Sequence, residues 1–364
     1  MKILTIVGAR PQFIKSYPVS RAISENKNVE EILLHTGQHY DFNMSKIFFS
    51  QLSLKEPDYN LGVGSGSHGK QTGEMLKSIE SVIIKESPDL ILIYGDTNST
   101  LAGAISGAKC HIPVAHVEAG LRSYNMKMPE EINRILSDRI STYLFCPTET
   151  AVNNLMKEGF GSFKYEGFKL NKPKVVLSGD VMYDAFLLCK EKLEPSLEIK
   201  KLVDSIENFH LATIHRAENT DSRNNLKNII EALEEISKDT VVILPIHPRT
   251  KLKINSFNIP AKKLMLIEPV GYFDMLYLLE KCKIVLTDSG GLQKEAYFSE
   301  KSCITLREET EWTELVEIGA NMLVGAKKEQ IVQAVRNKFS FKNKSGIYGD
   351  GNSSKKIIGM LVKD

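Results

Sequence analysis

The stretch Leu90-Ile91-Leu92-Ile93-Tyr94-Gly95-Asp96-Thr97-Asn98-Ser99-Thr100 decides the fold. An unbroken apolar run closes on a glycine, a carboxylate and hydroxyl side chains. It reads as a strand buried on both faces that opens into a helix start. The pattern recurs along the chain. Residues 2–7, 31–35, 90–94, 113–117 and 144–147 read as strands of the first half. Residues 175–177, 210–214, 241–246, 265–267, 284–287, 303–306 and 322–324 read as strands of the second. Helical periodicity lies between them. Residues 71–85 place Met75, Ile79, Val82 and Ile83 on one face, and residues 226–236 do the same with Ile229, Ile230, Leu233 and Ile236. This alternation, run through twice, predicts an α/β chain of two doubly wound, Rossmann-like domains. The glycine-rich segment 159–174 breaks the alternation and is the expected boundary. It gives an N-terminal domain of residues 1–168 and a C-terminal domain of residues 174–345, with a helical tail at 353–362.

Composition narrows the function. The 364 residues carry 47 Lys plus Arg against 45 Asp plus Glu, a net charge of +2. No basic excess or block exists to grip a phosphate backbone, so no nucleic-acid partner is expected. At 42% hydrophobic and 25% charged the chain is ordinary globular material, not a disordered regulator. Five scattered cysteines without a Cys-x-x-Cys pair suit free thiols in a reducing cytosol. The apolar run at 3–7 is too short for a signal-peptide core, and no stretch approaches the roughly 20 apolar residues that span a bilayer. A cytoplasmic protein without a membrane partner is the expected class.

Ligands of open parallel sheets bind beyond the carboxyl ends of the strands. After the first strand comes Gly8-Ala9-Arg10-Pro11, with Lys15 about one helical turn on. Gly8 permits a tight turn, Pro11 suits a first helical turn, and a helix start favours an anion. The alternative is a surface turn with two solvated bases. Asp96 and Glu118 end two strands of one sheet, and such a pair can be tuned apart as acid and base. The structural alternative for Asp96 is a helix cap. Pro129-Glu130-Glu131 starts a helix well, which by itself signals only a helix. In the second half His215-Arg216-Ala217-Glu218-Asn219 follows a strand; a histidine there is either an acid/base or phosphate donor, or structural. Thr287-Asp288-Ser289-Gly290-Gly291 opens a helix that offers backbone N–H groups to a phosphate, with Glu295 further along to reach ribose hydroxyls.

Two decoys are set aside. Gly64-Ser65-Gly66-Ser67-His68-Gly69-Lys70-Gln71 nearly matches a P-loop, but Gln71 stands where a Mg-binding hydroxyl is needed and no good strand precedes Gly64. His35 and His39 have metal-like spacing without a third ligand in view, so no metal is expected.

Taken together these motifs resemble the non-hydrolysing UDP-N-acetylglucosamine 2-epimerases. The resemblance rests on 8–15, His35-Thr36-Gly37-Gln38-His39-Tyr40, Gly95-Asp96-Thr97, 116–122, Pro129-Glu130-Glu131-Ile132-Asn133-Arg134, 215–219 and 288–295, in the family's order over nearly the whole chain. It implies the architecture with two Rossmann-like domains found in the GT-B class of glycosyltransferases, an interdomain active-site cleft, and a C-terminal helix, 352–364, packed back on the first domain. It implies inversion at C2 of a UDP-2-acetamido sugar, without cofactor, for surface polysaccharide precursors. UDP leaves by anti elimination to a 2-acetamidoglucal and adds back with a proton on the opposite face. Matching the family's motifs, Asp96, Glu118, Glu130 and His215 are the catalytic candidates. Arg10, Lys15, Arg216, Ser289, Gly290, Gly291, Glu295 and Arg307 are the substrate-binding ones. Which carboxylate serves which sugar face stays open, and a homodimer is implied by the resemblance alone.

The chain also departs from the best-known members. The linker between Arg122 and Pro129 is shorter, Thr310-Glu311-Trp312-Thr313-Glu314 replaces a pattern with Arg and Pro, and Gln38-His39-Tyr40-Asp41 lacks the allosteric-site pattern of regulated enzymes. His247-Pro248-Arg249 adds a base at a strand end. These features look more like the branch acting on UDP-2,3-diacetamido-2,3-dideoxy-glucuronate, where Arg249 could pair with the sugar carboxylate. A solvated Arg is the alternative. A hydrolysing epimerase, a GT-B glycosyltransferase and a non-catalytic nucleotide-sugar sensor are the rival functions.

Overall fold

The computed structural model describes residues 1–38, 55–162, 173–337, 341 and 346–363, with the side chains of Arg10 and Ser162 outside that description. Of the residues singled out above, His39, Tyr40, Asp41 and the Arg10 side chain therefore lie outside the described residues. The chain divides into two compact units, Met1–Cys189 with Gly346–Asp364, and Lys190–Ser345.

The first unit holds β1 (Lys2–Val7), β2 (Glu30–His35), β3 (Tyr59–Asn60), β4 (Leu90–Tyr94), β5 (Val114–Val117), β6 (Tyr143–Cys146) and β7 (Lys174–Leu177). They form one sheet in the order β3-β2-β1-β4-β5-β6-β7 with every neighbouring pair parallel. Its helices are α1 (Arg10–Ser24), α2 (His68–Glu86), α3 (Asn98–Lys109), α4 (Pro129–Ile140), α5 (Glu149–Lys157) and α6 (Val181–Glu191). Alternate residues of β4 feed opposite cores. Leu90, Leu92 and Tyr94 join Phe13, Val117 and Phe145 on one face, while Ile91 and Ile93 join Ile6, Ile79 and Val114 on the other. Both faces are covered, which is why the run is apolar at every position. The order reverses between β1 and β4, and that switch point opens a crevice at the carboxyl edge.

The boundary falls later than segment 159–174. Strand β7, expected in the second domain, pairs in register with β6 through Tyr143↔Lys174 to Cys146↔Leu177. Its residues are only half-buried, as an edge strand allows, so its own pattern does not say which sheet it joins. The two-residue β3 was not anticipated; it is too short and too polar to carry a periodic signal.

The second unit holds β8 (Phe209–Thr213), β9 (Val241–Pro245), β10 (Met265–Ile267), β11 (Ile284–Thr287), β12 (Ser302–Thr305) and β13 (Asn321–Leu323), parallel in the order β10-β9-β8-β11-β12-β13. Its helices are α7 (Leu197–Asp204), α8 (Ala217–Thr220), α9 (Arg223–Ile236), α10 (Pro248–Ser256), α11 (Tyr272–Lys281), α12 (Gly290–Phe298), α13 (Thr313–Glu317) and α14 (Lys328–Arg336). Ile229, Ile230, Leu233 and Ile236, the face read from the sequence, are buried in one core with Leu244, Leu286 and Ile304.

The last helix, α15 (Ser353–Leu361), packs on α1 and adds Ile357, Ile358 and Leu361 to a first-unit core. Its start is held by Asp184 of α6. One carboxylate oxygen accepts the Ser353 N–H at 3.1 Å, and the other accepts the Ser354 N–H and hydroxyl, each at 2.7 Å. This satisfies donors that a helix start otherwise leaves unpaired.

Two expected outcomes follow from this packing. Asp184→Ala should lower stability by about 1–3 kcal/mol and speed amide exchange across Ser353–Leu361; unchanged exchange there would contradict the capping role. His210 of β8 is 5% exposed, and burial, reinforced by the Lys283 charge, lowers its pKa to about 4 from 6.5. The folded state then binds fewer protons than the unfolded one, so the contribution is intact above pH 6.5 and is lost as pH falls toward 4. The loss should reach about 3 kcal/mol. His210→Leu should flatten that part of the stability–pH curve, measured by denaturant melts.

Candidate active site

In the first unit the turns after β1, β4 and β5 lie side by side because their strands are neighbours. Gly8 has no room for a side chain; a Cβ there would come within 2.1 Å of Thr36 Oγ1 and 2.2 Å of Ser99 Oγ. The next turn is tied to it by Gln12. The Gln12 carbonyl oxygen accepts the Gly8 and Ala9 N–H groups at 2.8 and 3.1 Å, and its amide donates to the Tyr94 carbonyl at 2.8 Å. Lys15 on α1 is buried and forms an ion pair with Glu118 after β5. Gly95 adopts φ +63° between them, and a Cβ at that position would sit 3.2 Å from Lys15 Nζ and 3.3 Å from Glu118 Oε2. Glu118 itself is held at φ +73°, a strained conformation for a non-glycine residue.

Asp96 is not the cap of α3. Thr97 takes that place, its hydroxyl accepting the Thr100 N–H at 3.3 Å. The Asp96 carboxylate instead receives Nε and Nη2 of Arg134, both at 2.9 Å. Asn133 donates to the Asp96 carbonyl at 2.9 Å. Arg134 also donates to Glu131 at 2.6 Å, and the fully buried Glu131 accepts the Ser123 and Tyr124 N–H groups at 2.9 and 2.8 Å. Glu131 therefore anchors the loop that precedes α4. Its neighbour Glu130 is partly buried in the first turn of α4 and makes no hydrogen bond or ion pair among the described residues. Sequence reasoning named Asp96, Glu118, Glu130 and Lys15. It missed Gln12, Glu131 and Arg134 as the groups that brace these turns. The Glu131/Arg134 spacing of one helical turn was the available signal.

The second unit repeats the design at its own switch point between β8 and β11. Asp288, fully buried, accepts the His215 N–H at 3.1 Å, the Arg216 N–H at 3.0 Å and the Asn219 amide at 3.1 Å. The exposed His215 ring lies with Nδ1 3.3 Å from the same carboxylate. Ser289 caps α12 by accepting the Leu292 N–H at 3.4 Å. A Cβ on Gly290 would come 2.3 Å from Glu311 Oε1, so a side chain there would have to displace that carboxylate. Glu311 pairs with Arg307 Nη1 at 2.9 Å and lies 3.9 Å from Arg216 Nη2. Arg307 is 4% exposed, and its Nε and Nη2 have no hydrogen-bond partner among the described residues. Glu295 is buried on α12. Gly291 is the second residue of that helix.

His247 caps α10, its Nδ1 accepting the Arg249 N–H at 3.2 Å. Burial, with the His215 and Arg249 charges nearby, holds its pKa below the usual range. Arg249 is half-exposed and paired with Asp221 at 2.5 Å, which favours the solvated reading. The near P-loop is no nucleotide cradle either. Gln71 donates to the Gly64 carbonyl at 2.6 Å and accepts from Asn98 at 2.8 Å, bracing the segment. Among the described residues no group of His, Cys, Asp and Glu could hold a metal ion, and no helix is long and apolar enough to cross a membrane.

Comparison with known proteins bears on this arrangement. A family model described as UDP-N-acetylglucosamine 2-epimerase matches residues 21–362. The chain is 50% identical to the UDP-2,3-diacetamido-2,3-dideoxy-D-glucuronate 2-epimerase of Pseudomonas aeruginosa, covering all of both chains. It superposes on the crystal structure of Methanocaldococcus jannaschii UDP-GlcNAc 2-epimerase in complex with UDP-GlcNAc and UDP with a TM-score of 0.90 at 45% identity, again over all of both chains. The Neisseria meningitidis UDP-GlcNAc 2-epimerase bound to UDP-GlcNAc matches at TM-score 0.87 and 32% identity, each chain fully covered. With the family model spanning most of its length, and carboxylates and a phosphate-type helix start where the sequence motifs put them, the chain belongs to the UDP-N-acetylglucosamine 2-epimerase family, a family of isomerases.

Proposed function

We propose that this chain inverts C2 of a UDP-2-acetamido sugar by elimination and re-addition of UDP. The observation that carries the reading is the pairing of Glu118 with Lys15 next to Gly95-Asp96 at one switch point. A sugar C2 proton is not acidic until C1 gains positive character, so departure of UDP must run ahead of proton removal. Donors on the diphosphate stabilise the leaving charge. Ser289, Gly290 and Gly291 supply the helix start for it, with Arg10, His215, Arg216 and Arg307 as cationic or hydrogen-bonding partners. The buried Arg307, with donors to spare, suits that role. Glu295 takes the ribose hydroxyls.

Proton transfer on both sugar faces needs at least two groups. Glu118 and Asp96 are oriented by Lys15 and Arg134. Glu130, without a partner among the described residues, can gain and lose a proton without breaking an ion pair. A second reading, with UDP-2,3-diacetamido-2,3-dideoxy-glucuronate as substrate, is favoured by the 50% identity to the Pseudomonas aeruginosa enzyme of that name. On resemblance alone we take a cytoplasmic homodimer supplying surface polysaccharide precursors as the working setting.

Turnover in heavy water should place deuterium at C2 of the product, read by proton NMR; retained protium would sink the reading. Glu118→Gln and Asp96→Asn should each slow turnover by about 10²–10⁴-fold. Free UDP accumulating in phosphorus NMR would point instead to a hydrolysing enzyme. A panel of UDP-sugars with and without a C6 carboxylate and a 3-acetamido group would name the substrate. Because Asp221 occupies Arg249, Arg249→Ala should change kcat/KM for carboxylated and uncarboxylated sugars by the same factor; a selective loss on the carboxylated sugar would restore Arg249 to the site.

A further inference from the structure

Asp138 of α4 is fully buried and reaches two turns at once. Its Oδ1 accepts from Nδ1 of His116 at 2.7 Å. Its Oδ2 accepts the Gly120 N–H at 3.1 Å and Arg122 Nη1 at 2.7 Å. The His116 ring, also fully buried on β5, points its other nitrogen at the Gly95 carbonyl, 2.7 Å away. A carbonyl only accepts, so the ring nitrogen that faces Gly95 donates to it. Burial works to raise the Asp138 pKa, but the His116 and Arg122 bonds and charges outweigh it and hold the carboxyl below its ordinary value.

The two anchored groups flank the proposed acid/base pair. Gly95 immediately precedes Asp96, and Gly120 follows Glu118 by two residues. Neither turn can choose its conformation freely. Gly120 sits at φ +80° with no space for a side chain, since a Cβ would come 2.4 Å from the Ala151 carbonyl oxygen. The Glu118 N–H is spent on the Phe145 carbonyl at 3.1 Å. Arg122 completes the cluster by a two-point pair with Glu158 at 2.6 and 2.8 Å. Arg122 thus lies between two carboxylates, the buried Asp138 and the exposed Glu158. A cluster of this kind contributes little net stability, because desolvation offsets the attraction. What it does supply is a fixed geometry.

We propose that Asp138, acting through His116 and the Gly120 amide, is a positioning residue that sets the placement of Asp96 relative to Glu118. The proposal rests on the epimerase reading above. Asp138→Leu keeps a similar volume but accepts nothing, so the links to His116 and to the Gly120 amide both break. In the full-length chain, kcat should fall at least tenfold on the UDP-sugar that the wild type turns over. KM, and UDP affinity by calorimetry, should stay within about twofold. An unchanged kcat overturns the proposal, as does a loss of UDP binding in step with activity, which is what a merely structural role predicts.

Should Asp138→Leu not fold, two His116 variants decide. Gln places its amide where Nε2 was and still reaches the Gly95 carbonyl; Asn places its amide where Nδ1 was and reaches only Asp138. His116→Gln should keep several-fold more kcat than His116→Asn at equal UDP affinity, and equal kcat values overturn the proposal. The wild type in the same assay separates the two ideas. A wild type inactive on every UDP-sugar removes the functional reading and this inference with it, whereas an active wild type with an undiminished Asp138→Leu removes this inference alone.

Discussion

The structure depends on the parallel ladder of β1, β4 and β5, buried on both faces. Neighbouring strands pair in parallel register, and every side chain of β4 is packed in one apolar layer or the other. Polar chemistry finds little room inside such a sheet. It is driven to the carboxyl edge, where the strands end at a switch in order and helix starts expose unpaired N–H groups. Gly8, Gly95 and Glu118 occupy that edge for this reason, as do His215, Ser289 and Arg307 in the second unit.

At both edges the groups proposed to meet substrate are held by a buried carboxylate that does not itself belong to the reactive set. In the first unit Asp138 and Glu131 grip backbone amides of the loop from Gly120 to Tyr124. In the second, Asp288 grips the amides of His215 and Arg216. Buried carboxylates satisfied by amides and arginines cost about as much in desolvation as they return in attraction. Their use is to hold turns such as Glu118 at φ +73° that a free chain would leave. Strain at the reactive turn and rigid polar support around it are two sides of one arrangement.

Much of this was legible in the chain. Unbroken apolar runs identified the parallel strands because both faces are covered. Gly8, Gly95, Glu118 and Ser289 were legible as edge residues because each follows such a run directly. Other features were not. Strand β7 carries a half-buried edge pattern that fits either sheet, so its pairing with β6 moved the domain boundary to Cys189. Asp96 read equally well as a helix cap until Thr97 was found in that place. Arg249 reads equally as a substrate ligand or a solvated base, and its pair with Asp221 favours the second.

The sequence by itself determined the fold class and which residues stand at the strand ends, because these follow from hydrophobic period and from local order along the chain; its motifs carried the resemblance to the family. Only the tertiary structure decided which polar groups hold them. Gln12 meets Tyr94, Asp138 meets His116 and Gly120, and Asp184 meets Ser353 and Ser354 across separations that no local pattern encodes. Charged residues spaced along a helix look alike whether they face water or a buried amide. Burial alone does not separate a support from a reactive group, since Glu118 is buried as well; what marks Asp138 as a support is that both its oxygens are taken by His116, Gly120 and Arg122.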